Sequence, residues 1–547
     1  YEGQSTKGEG PHTSSFILQP NLTKEQQTAY QAIKQDPRPS LLFGVTGSGK
    51  TEVYAQLIAD CIAENKQAIL LVPEILLTEH CIHRFEELLD GRDRIAVLHS
   101  RLTAAQRQAE WRRIHRGAVD LVIGSRSALF APLERLGLVI MDEEHEWTYK
   151  NEQTPRSHAR DVSEKLCAEA GAKFVMGTAT PSLETWAQCE NIRRDLECQT
   201  PTYHIARLPN RYKNQPLPDV RVIDLAAVTF GALYPFSPPL LDAIADRLKK
   251  GEQSVLFLNR RGVATALLCL DCRRRVISPD SQLPYTVHRH GGGSSYLVDH
   301  TTGNRVDPPT TCPHCQSNRL QEIGAGTQKI EDLLQQQFPT ARVLRADRDT
   351  LHHPEQMRLL LTKMREGQAD ILLGTQSVVK GLDLPNVTLA AVLLADVGLS
   401  LPHFRAGERI FQLLTQLTGR SGRAKPGEVI IQTYRPDAPE VCFAATHKTE
   451  EYLEQELKLR THAGYPPASR MIRLLVRGDD AEKRARSLIG SINDHIIRYS
   501  LFVSCAPTLF SGGKMWQILV RGENPQVILG QIDLTHVTVD VDPIECV

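Results

Sequence analysis

The 547-residue sequence lacks an apolar run of the roughly 18–20 residues that a membrane-spanning helix needs. The nearest stretch, Thr388 to Leu401, is interrupted by Asp396. An excess of one charge is missing as well: 64 basic residues balance 64 acidic ones, so no global field advertises a polyanionic partner. Nucleic-acid contacts would then rest on local groups. Arg112-Arg113, Arg260-Arg261 and Arg273-Arg274-Arg275 are the obvious ones, and each by itself reads first as a solvated face. A disulfide framework is also absent. Of 12 cysteines only four stand in tight pairs, the pattern of a reducing compartment with one metal site. The first residue is Tyr1 rather than Met, and 1–15 is polar and Gly-rich. That segment reads as a disordered lead-in to a fragment or processed chain, not as a signal peptide. What remains, 41% hydrophobic and 23% charged, is ordinary globular composition, long enough for about three or four domains.

The most informative stretch is Gly44-Val45-Thr46-Gly47-Ser48-Gly49-Lys50-Thr51, which reads G-x-x-x-x-G-K-T. An apolar run, Leu41-Leu42-Phe43, precedes it, and Val53, Leu57, Ile58 and Cys61 follow at helical spacing. A glycine-rich turn between strand and helix lets backbone N–H groups close around phosphate oxygens, and the helix N-terminus adds a favourable dipole. Thr46 and Ser48 lie within that cradle. Lys50 is placed to reach the β- and γ-phosphates, and the Thr51 hydroxyl to ligate Mg²⁺. The spacing thus points to a nucleoside triphosphate. About twenty residues upstream, in a helix starting at Thr23, Gln26 has an amide able to pair with adenine as donor and acceptor.

Apolar runs then alternate with helical segments: 68–73, 95–99, 121–124 and 138–141. Such alternation predicts a parallel sheet with helices on both faces, whose ligands bind at the carboxyl ends of the strands. The last run ends in Asp142-Glu143-Glu144-His145. A carboxylate there suits Mg²⁺ and its neighbour suits the attacking water, so Asp142 is assigned to the metal and Glu143 to the water. Gly177-Thr178-Ala179-Thr180-Pro181 supplies small hydroxyls for a relay that senses the nucleotide. Farther on, Cys269-x-x-Cys272 and Cys312-x-x-Cys315 form two knuckles whose four thiolates complete a closed tetrahedral zinc shell. The segment between them is polar and Gly-rich, with little to bury.

Taken in order, these pieces resemble a superfamily 2 helicase, and in finer wording the PriA family of replication-restart helicases. Ser125-Arg126-Ser127-Ala128-Leu129-Phe130, His158-Ala159-Arg160-Asp161, Phe257-Leu258-Asn259-Arg260-Arg261-Gly262, Lys380-Gly381, Phe404-Arg405-Ala406 and Gln416 to Arg423 carry the resemblance, together with Val539 to Pro543. It runs from about Leu22 to the C-terminus. It implies an α/β protein of two RecA-like lobes with parallel sheets, a zinc-binding insertion in the second lobe and a small α+β C-terminal domain. The expected segments are lobe 1 at 16–199, a linker rich in Pro and Tyr at 200–239, lobe 2 at 240–435 with the insertion at 267–320, and the last domain at 436–547.

Function follows as an expectation: an ATP-dependent 3′→5′ DNA helicase, acting on single-stranded and forked DNA in replication restart. One Zn²⁺, primosome proteins, the tail of single-strand-binding protein, a monomer and a cytoplasmic, nucleoid-associated setting are implied with it. Gln416, Arg420 and Arg423 are expected to face the γ-phosphate, and Gly381 to lie on the loop coupling DNA to nucleotide. Arg126, Lys380, Trp147 and Tyr149 are expected at DNA, the two aromatics by stacking on bases. The sequence also departs from the family. Ser278 and Val298 stand near positions of its two inner knuckles, which implies loss of an inner zinc, and its N-terminal 3′-end-binding and winged-helix domains have no counterpart. Rival readings are an ATPase that translocates without unwinding and a non-enzymatic loading scaffold.

Overall fold

Short apolar strands alternating with amphipathic helices build two units. The computed structural model describes residues 21–73, 79–88, 92–100, 102–189, 202–230, 233–258, 266–280, 284–289, 295–299, 304–323, 327–346, 354–375, 384, 386–399, 403–419, 421, 426–508 and 514–544. One unit comprises Tyr1–Pro181 with Gln188–Asn214, the other Ser182–Ala187 with Gln215–Val547.

In the first unit, β1 (Ser40–Gly44), β2 (Gln67–Leu71), β3 (Ile95–Leu98), β4 (Leu121–Gly124), β5 (Leu136–Asp142), β6 (Lys173–Thr178) and β7 (His204–Leu208) form one sheet. Their order is β3-β4-β2-β5-β6-β1-β7, and every pairing is parallel. β1, β2 and β4 are buried along their whole length, as strands covered on both faces must be. The helix Lys50–Ala63 buries Val53, Tyr54, Leu57, Ile58 and Cys61 in a core shared with Leu42, Leu70, Ile123, Ile140 and Val175. For function the decisive feature is the adjacency of β5, β6 and β1. Asp142 pairs with Gly177, which pairs in turn with Leu42, so three strand ends open side by side.

In the second unit, β8 (Asp219–Asp224) and β9 (Gln253–Phe257) precede an insertion of β10 (Ala266–Cys269), β11 (Thr286–Arg289), β12 (Ser295–Val298), β13 (Arg305–Val306) and β14 (Leu320–Ile323). Four further strands, β15 (Val343–Ala346), β16 (Ile371–Gly374), β17 (Val387–Val392) and β18 (Glu428–Thr433), complete a parallel sheet of order β15-β16-β9-β17-β18-β8. An antiparallel sheet of β19 (Arg470–Arg477), β20 (Phe502–Pro507), β21 (Met515–Gly522) and β22 (Val537–Val541), ordered β20-β21-β19-β22, packs with the helix Ala481–Tyr499 around its own core.

Three expectations change. The segment 200–239 is not a linker throughout, because β7 extends the first sheet beside β1 and β8 closes the edge of the second beside β18. An edge strand is half exposed, so β8 alternates instead of showing a continuous apolar run. The boundary at 436 also falls too early. The helices Pro439–Ala445 and Thr449–His462 belong with the helix Ala406–Thr418, where Phe411 and Tyr452 stack with centroids 3.9 Å apart. Finally, the insertion does have something to bury: Leu267, Val276, Tyr285, Val287 and Leu297 form a small core with Leu320 against it.

The two helix groups are held by charge. Glu408 (3% exposed) and Arg460 (2%) pair at 2.7 Å, and Leu183 N–H donates to the other Glu408 oxygen at 3.0 Å. Removing one member of a buried pair strands the other, at about 3–5 kcal/mol. Glu408→Ala is therefore expected to lower the unfolding free energy of the second unit, read from its urea transition, by that order, and Glu408→Leu with Arg460→Met to recover most of it. A loss under about 1 kcal/mol would place the pair with exposed bridges instead.

Candidate functional site

The loop after β1 takes its shape from glycine. Gly47 and Gly49 adopt φ of 84° and 80°, in the left-handed region. The helix then begins at Lys50, whose Nζ donates to the Gly44 carbonyl at 3.0 Å, and Thr51 is exposed beside it. Gln26 packs against the same loop. It is 1% exposed; its Nε2 donates to the carbonyls of Ser48 (3.0 Å) and Gly49 (3.4 Å), and its Oε1 accepts from Thr23 N–H at 2.9 Å. The amide thus lies beneath the phosphate loop and closes a capping box for its own helix. A Cβ on Gly49 would lie 2.3 Å from that amide nitrogen, so glycine is required there twice over.

Asp142 ends β5 and accepts from Tyr54 Oη at 2.9 Å; its carbonyl accepts from Tyr149 Oη at 2.7 Å. Burial, then the neighbouring Glu143 charge, push its carboxyl up to about 6, against the opposing pull of Lys50 and the Tyr54 hydrogen bond. Glu143 itself sits at φ 47°, an uncommon conformation for a residue with a side chain. Across from it, the Thr178 hydroxyl lies 2.7 Å from His145 Nδ1, accepts from Thr180 N–H at 3.0 Å and donates to Glu143 at 3.4 Å. The strand-end hydroxyls and the acidic turn therefore form one connected set. Chemically, the arrangement offers a phosphate cradle, a carboxylate suited to a divalent metal, and a second carboxylate tied to a hydroxyl relay.

Beside this set lies a cleft of about 640 Å³ lined by His99, Arg107, Trp111, Phe130 and Trp147, among others. Of the described residues expected at DNA, Arg126, Trp147 and Tyr149 all line it, and Trp147 is a half-buried aromatic there. Tyr149 is 1% exposed with its hydroxyl spent on Asp142, so it cannot stack on a base. Arg126 Nη1 donates to the carbonyls of Thr148 and Lys150, each at 2.8 Å, and so builds the wall of the cleft. Sequence reasoning missed Trp111 and Phe130, which are 41% and 61% exposed. The signal was present for Trp111: in its helix, Ala104–His115, only Ile114 is buried, so an aromatic there has no core to join. Gln416 is buried on the helix Ala406–Thr418. Lys380, Gly381, Arg420 and Arg423 lie outside the described residues.

The four cysteines come together. Cys269 and Cys315 Sγ are 3.6 Å apart, as are Cys272 and Cys312, and all four lie within 4.8 Å of one another. Zinc–thiolate bonds of about 2.3 Å in a tetrahedron give sulfur–sulfur edges of about 3.8 Å, so the donor set fits zinc. Against the cost of burial, the backbone N–H groups of Cys272 and Asp271 hold the Cys269 thiol below its ordinary value, favouring the thiolate a metal needs. Two of the arginines after the first knuckle are anchors: Arg273 bonds Asp224 at 2.7 Å and the Tyr434 carbonyl at 3.0 Å, and half-buried Arg275 donates to the Asp396 carbonyl at 3.3 Å.

Known proteins carry the same pattern. Residues 23–188 match the model of the DEAD/DEAH box helicase family. The chain is 41% identical over 471 residues to replication restart protein PriA of Bacillus subtilis (strain 168), covering 85% of this chain and 57% of that protein. It is 36% identical over 545 residues to the protein of that name from Synechocystis sp. (strain ATCC 27184 / PCC 6803 / Kazusa), covering 96% and 65%. With the Treponema pallidum (strain Nichols) protein of the same name it shares 40% over 468 residues, 84% of this chain and 68% of that one. The chain thus spans less than two thirds of the length of the first two relatives. At this identity, over this much of the Treponema protein, the chain belongs to the PriA family of replication restart proteins.

Proposed function

We propose that this chain is the ATP-driven motor of a replication-restart DNA helicase, tracking 3′→5′ along single-stranded DNA. One observation carries the reading: the phosphate loop, Asp142, Glu143 and the Thr178–His145 relay converge at three adjacent strand ends, next to a cleft lined by aromatic side chains. Gly44, Thr46, Gly47, Ser48, Gly49 and Lys50 would cradle the phosphates, and Thr51 with Asp142 would hold Mg²⁺, which neutralises developing phosphate charge when bound. Glu143 orients the attacking water; Gln416, Arg420 and Arg423 are assigned to the γ-phosphate. Trp111, Phe130 and Trp147 offer stacking surfaces for bases, which suits a single strand of any sequence. Arg126 and Tyr149 act by holding the turn that bears Trp147. The cysteine cluster holds one Zn²⁺, which closes the insertion. Forked DNA, primosome proteins and the single-strand-binding protein tail are the partners assigned with this role, and the motor works as a monomer.

Steady-state ATP hydrolysis with and without single-stranded DNA, at fixed salt, tests the reading. Stimulation by DNA is expected, with Glu143→Gln losing about 10²–10⁴ in rate. Trp147→Ala should keep the DNA-independent rate while losing the stimulation; turnover indifferent to DNA in the unaltered chain would sink the motor. Metal content gives a second check: one zinc per chain by elemental analysis, absent from Cys272→Ser with Cys312→Ser. A third concerns Asp142. Its carboxyl is raised from 3.8 to about 6, so folding favours the protonated form between those values, and a proton competes with a metal there. Mn²⁺ affinity in the presence of ADP should fall as pH drops through about 6. In Asp142→Asn it should be weak at every pH.

A further inference from the structure

The helix Ala406–Thr418 carries Gln416, and its first turn is held from more than one side. Besides the Glu408–Arg460 pair, Arg409 Nη2 donates to the carbonyl of Ile544 at 2.9 Å. Arg409 and Gln416 stand seven residues apart on this helix. That is about two turns, so the two residues share a face, about 10 Å apart along the axis. In the sequence Arg420 follows Gln416 by a further four residues. The turn into the helix is fixed as well, since Arg405 N–H donates to His403 Nδ1 at 2.9 Å.

Ile544 is brought to that face from the antiparallel sheet. β22 pairs with β19 as far as Val541, opposite Ile472. Asp542 then turns with a left-handed φ of 50°; its N–H donates to the Met471 carbonyl at 2.8 Å and its carboxylate pairs with Arg470 at 2.5 Å. Pro543 is buried, and its ring fixes the backbone just before the carbonyl that Arg409 uses. Among the described residues the sheet's own core reaches Val541 and no farther, so 543–544 spend their contacts elsewhere. A second tie runs beside this one. Arg521 of β21 donates to the Ala463 carbonyl at 3.0 Å and covers Tyr465, which stacks on Phe404 two residues before the helix.

We propose that 542–544 is a strap that positions the helix Ala406–Thr418 for ATP turnover, with Arg409 as its positioning residue. This rests on the assignment of Gln416 to the γ-phosphate and adds what holds Gln416 in place. A helix is stiff over two turns, so a rotation at Arg409 reaches Gln416 on the same face. A group that meets charge developing on the transferring phosphoryl acts in the transition state. Misplacing it slows the chemical step more than it weakens nucleotide binding. The antiparallel sheet is then a working part of the motor.

Steady-state ATP turnover of the whole chain on saturating single-stranded DNA, read together with amide exchange of 406–418, tests this. Arg409→Ala should lower kcat by about 10–10², with KM for ATP within about twofold, and should speed exchange in the helix. Arg409→Lys keeps one charged donor for one neutral carbonyl, so it should restore most of kcat. Pro543→Gly loosens the strap without touching the helix and should reproduce the loss. Unchanged kcat in Arg409→Ala, even with faster exchange, would overturn the proposal and leave the contact structural. So would a loss carried by KM, or full kcat in Pro543→Gly. An unaltered chain whose helix is protected but which turns over no ATP would overturn the motor reading and the strap with it, a failure visible before any variant is made.

Discussion

Tyr54 reaches Asp142 across a residue that has no side chain. A Cβ on Gly177 would stand 1.6 Å from the Tyr54 hydroxyl, so the 2.9 Å bond to Asp142 exists only because β6 carries glycine at that register. The consequence reaches beyond one hydrogen bond. Tyr54 lies on the helix that begins at Lys50, while Asp142 ends β5. Any side chain at 177 would lift that helix from the sheet, and with it the residues that cradle phosphate. Overpacking of a filled core typically costs about 1–3 kcal/mol and moves backbone. Here the movement would separate the two halves of the site, so one small residue keeps phosphate loop and carboxylates in common register.

The second unit keeps its layers together by different means. Its insertion is fastened by Arg273 and Arg275 to Asp224, Tyr434 and Asp396, at strand ends and the loops beyond them in the parallel sheet. Burial draws the Arg275 guanidinium down to about 10, so it stays charged at neutral pH. Farther on, Arg405 lies 4.7 Å and Arg460 5.1 Å from the Phe404 ring centroid, and Phe404 stacks on Tyr465 at 5.0 Å. Arg521 of β21 covers Tyr465 in turn at 4.1 Å. Alternating cations and rings thus run from the helix after Phe404 into the antiparallel sheet. Buried charges are weak evidence of net stability, but their directional bonds fix orientation in a way that apolar packing does not.

What the sequence disclosed was whatever local chemistry dictates. Gly47, Gly49, Lys50 and Thr51 announce themselves because the loop needs those residue types at that spacing, and the cysteine pairs because a metal shell does. The parallel sheet was legible from apolar runs, since strands covered on both faces have no room for alternation. The partner of a side chain was not legible. Gln26 is followed at a distance of 22 residues by the carbonyl it supports, and nothing near it reveals that both ends of its amide are taken. Trp147 and Tyr149 look equivalent in sequence, yet one is half-buried in the cleft and the other is buried on Asp142, because only the short turn between them decides which faces in. The insertion's apolar core escaped notice for the same reason. Leu267, Val276, Tyr285, Val287 and Leu297 are scattered over three strands and a loop, and only pairing brings them together.

That same turn joins cleft and carboxylates. Arg126 grips the carbonyls of Thr148 and Lys150, and Tyr149 grips the carbonyl of Asp142, so the backbone bearing Trp147 is tied at both ends. Glu143 follows Asp142 directly and holds a left-handed φ of 47°. Strain of this kind is worth about 1–3 kcal/mol, and a base stacked on an aromatic side chain is worth about 1–3 kcal/mol as well. In the proposed motor the two are matched in size, so a base stacked at Trp147 could offset strain of the kind held at Glu143. The clamp by Arg126 and Tyr149 ties the turn that lines the cleft to the strand end that carries Asp142.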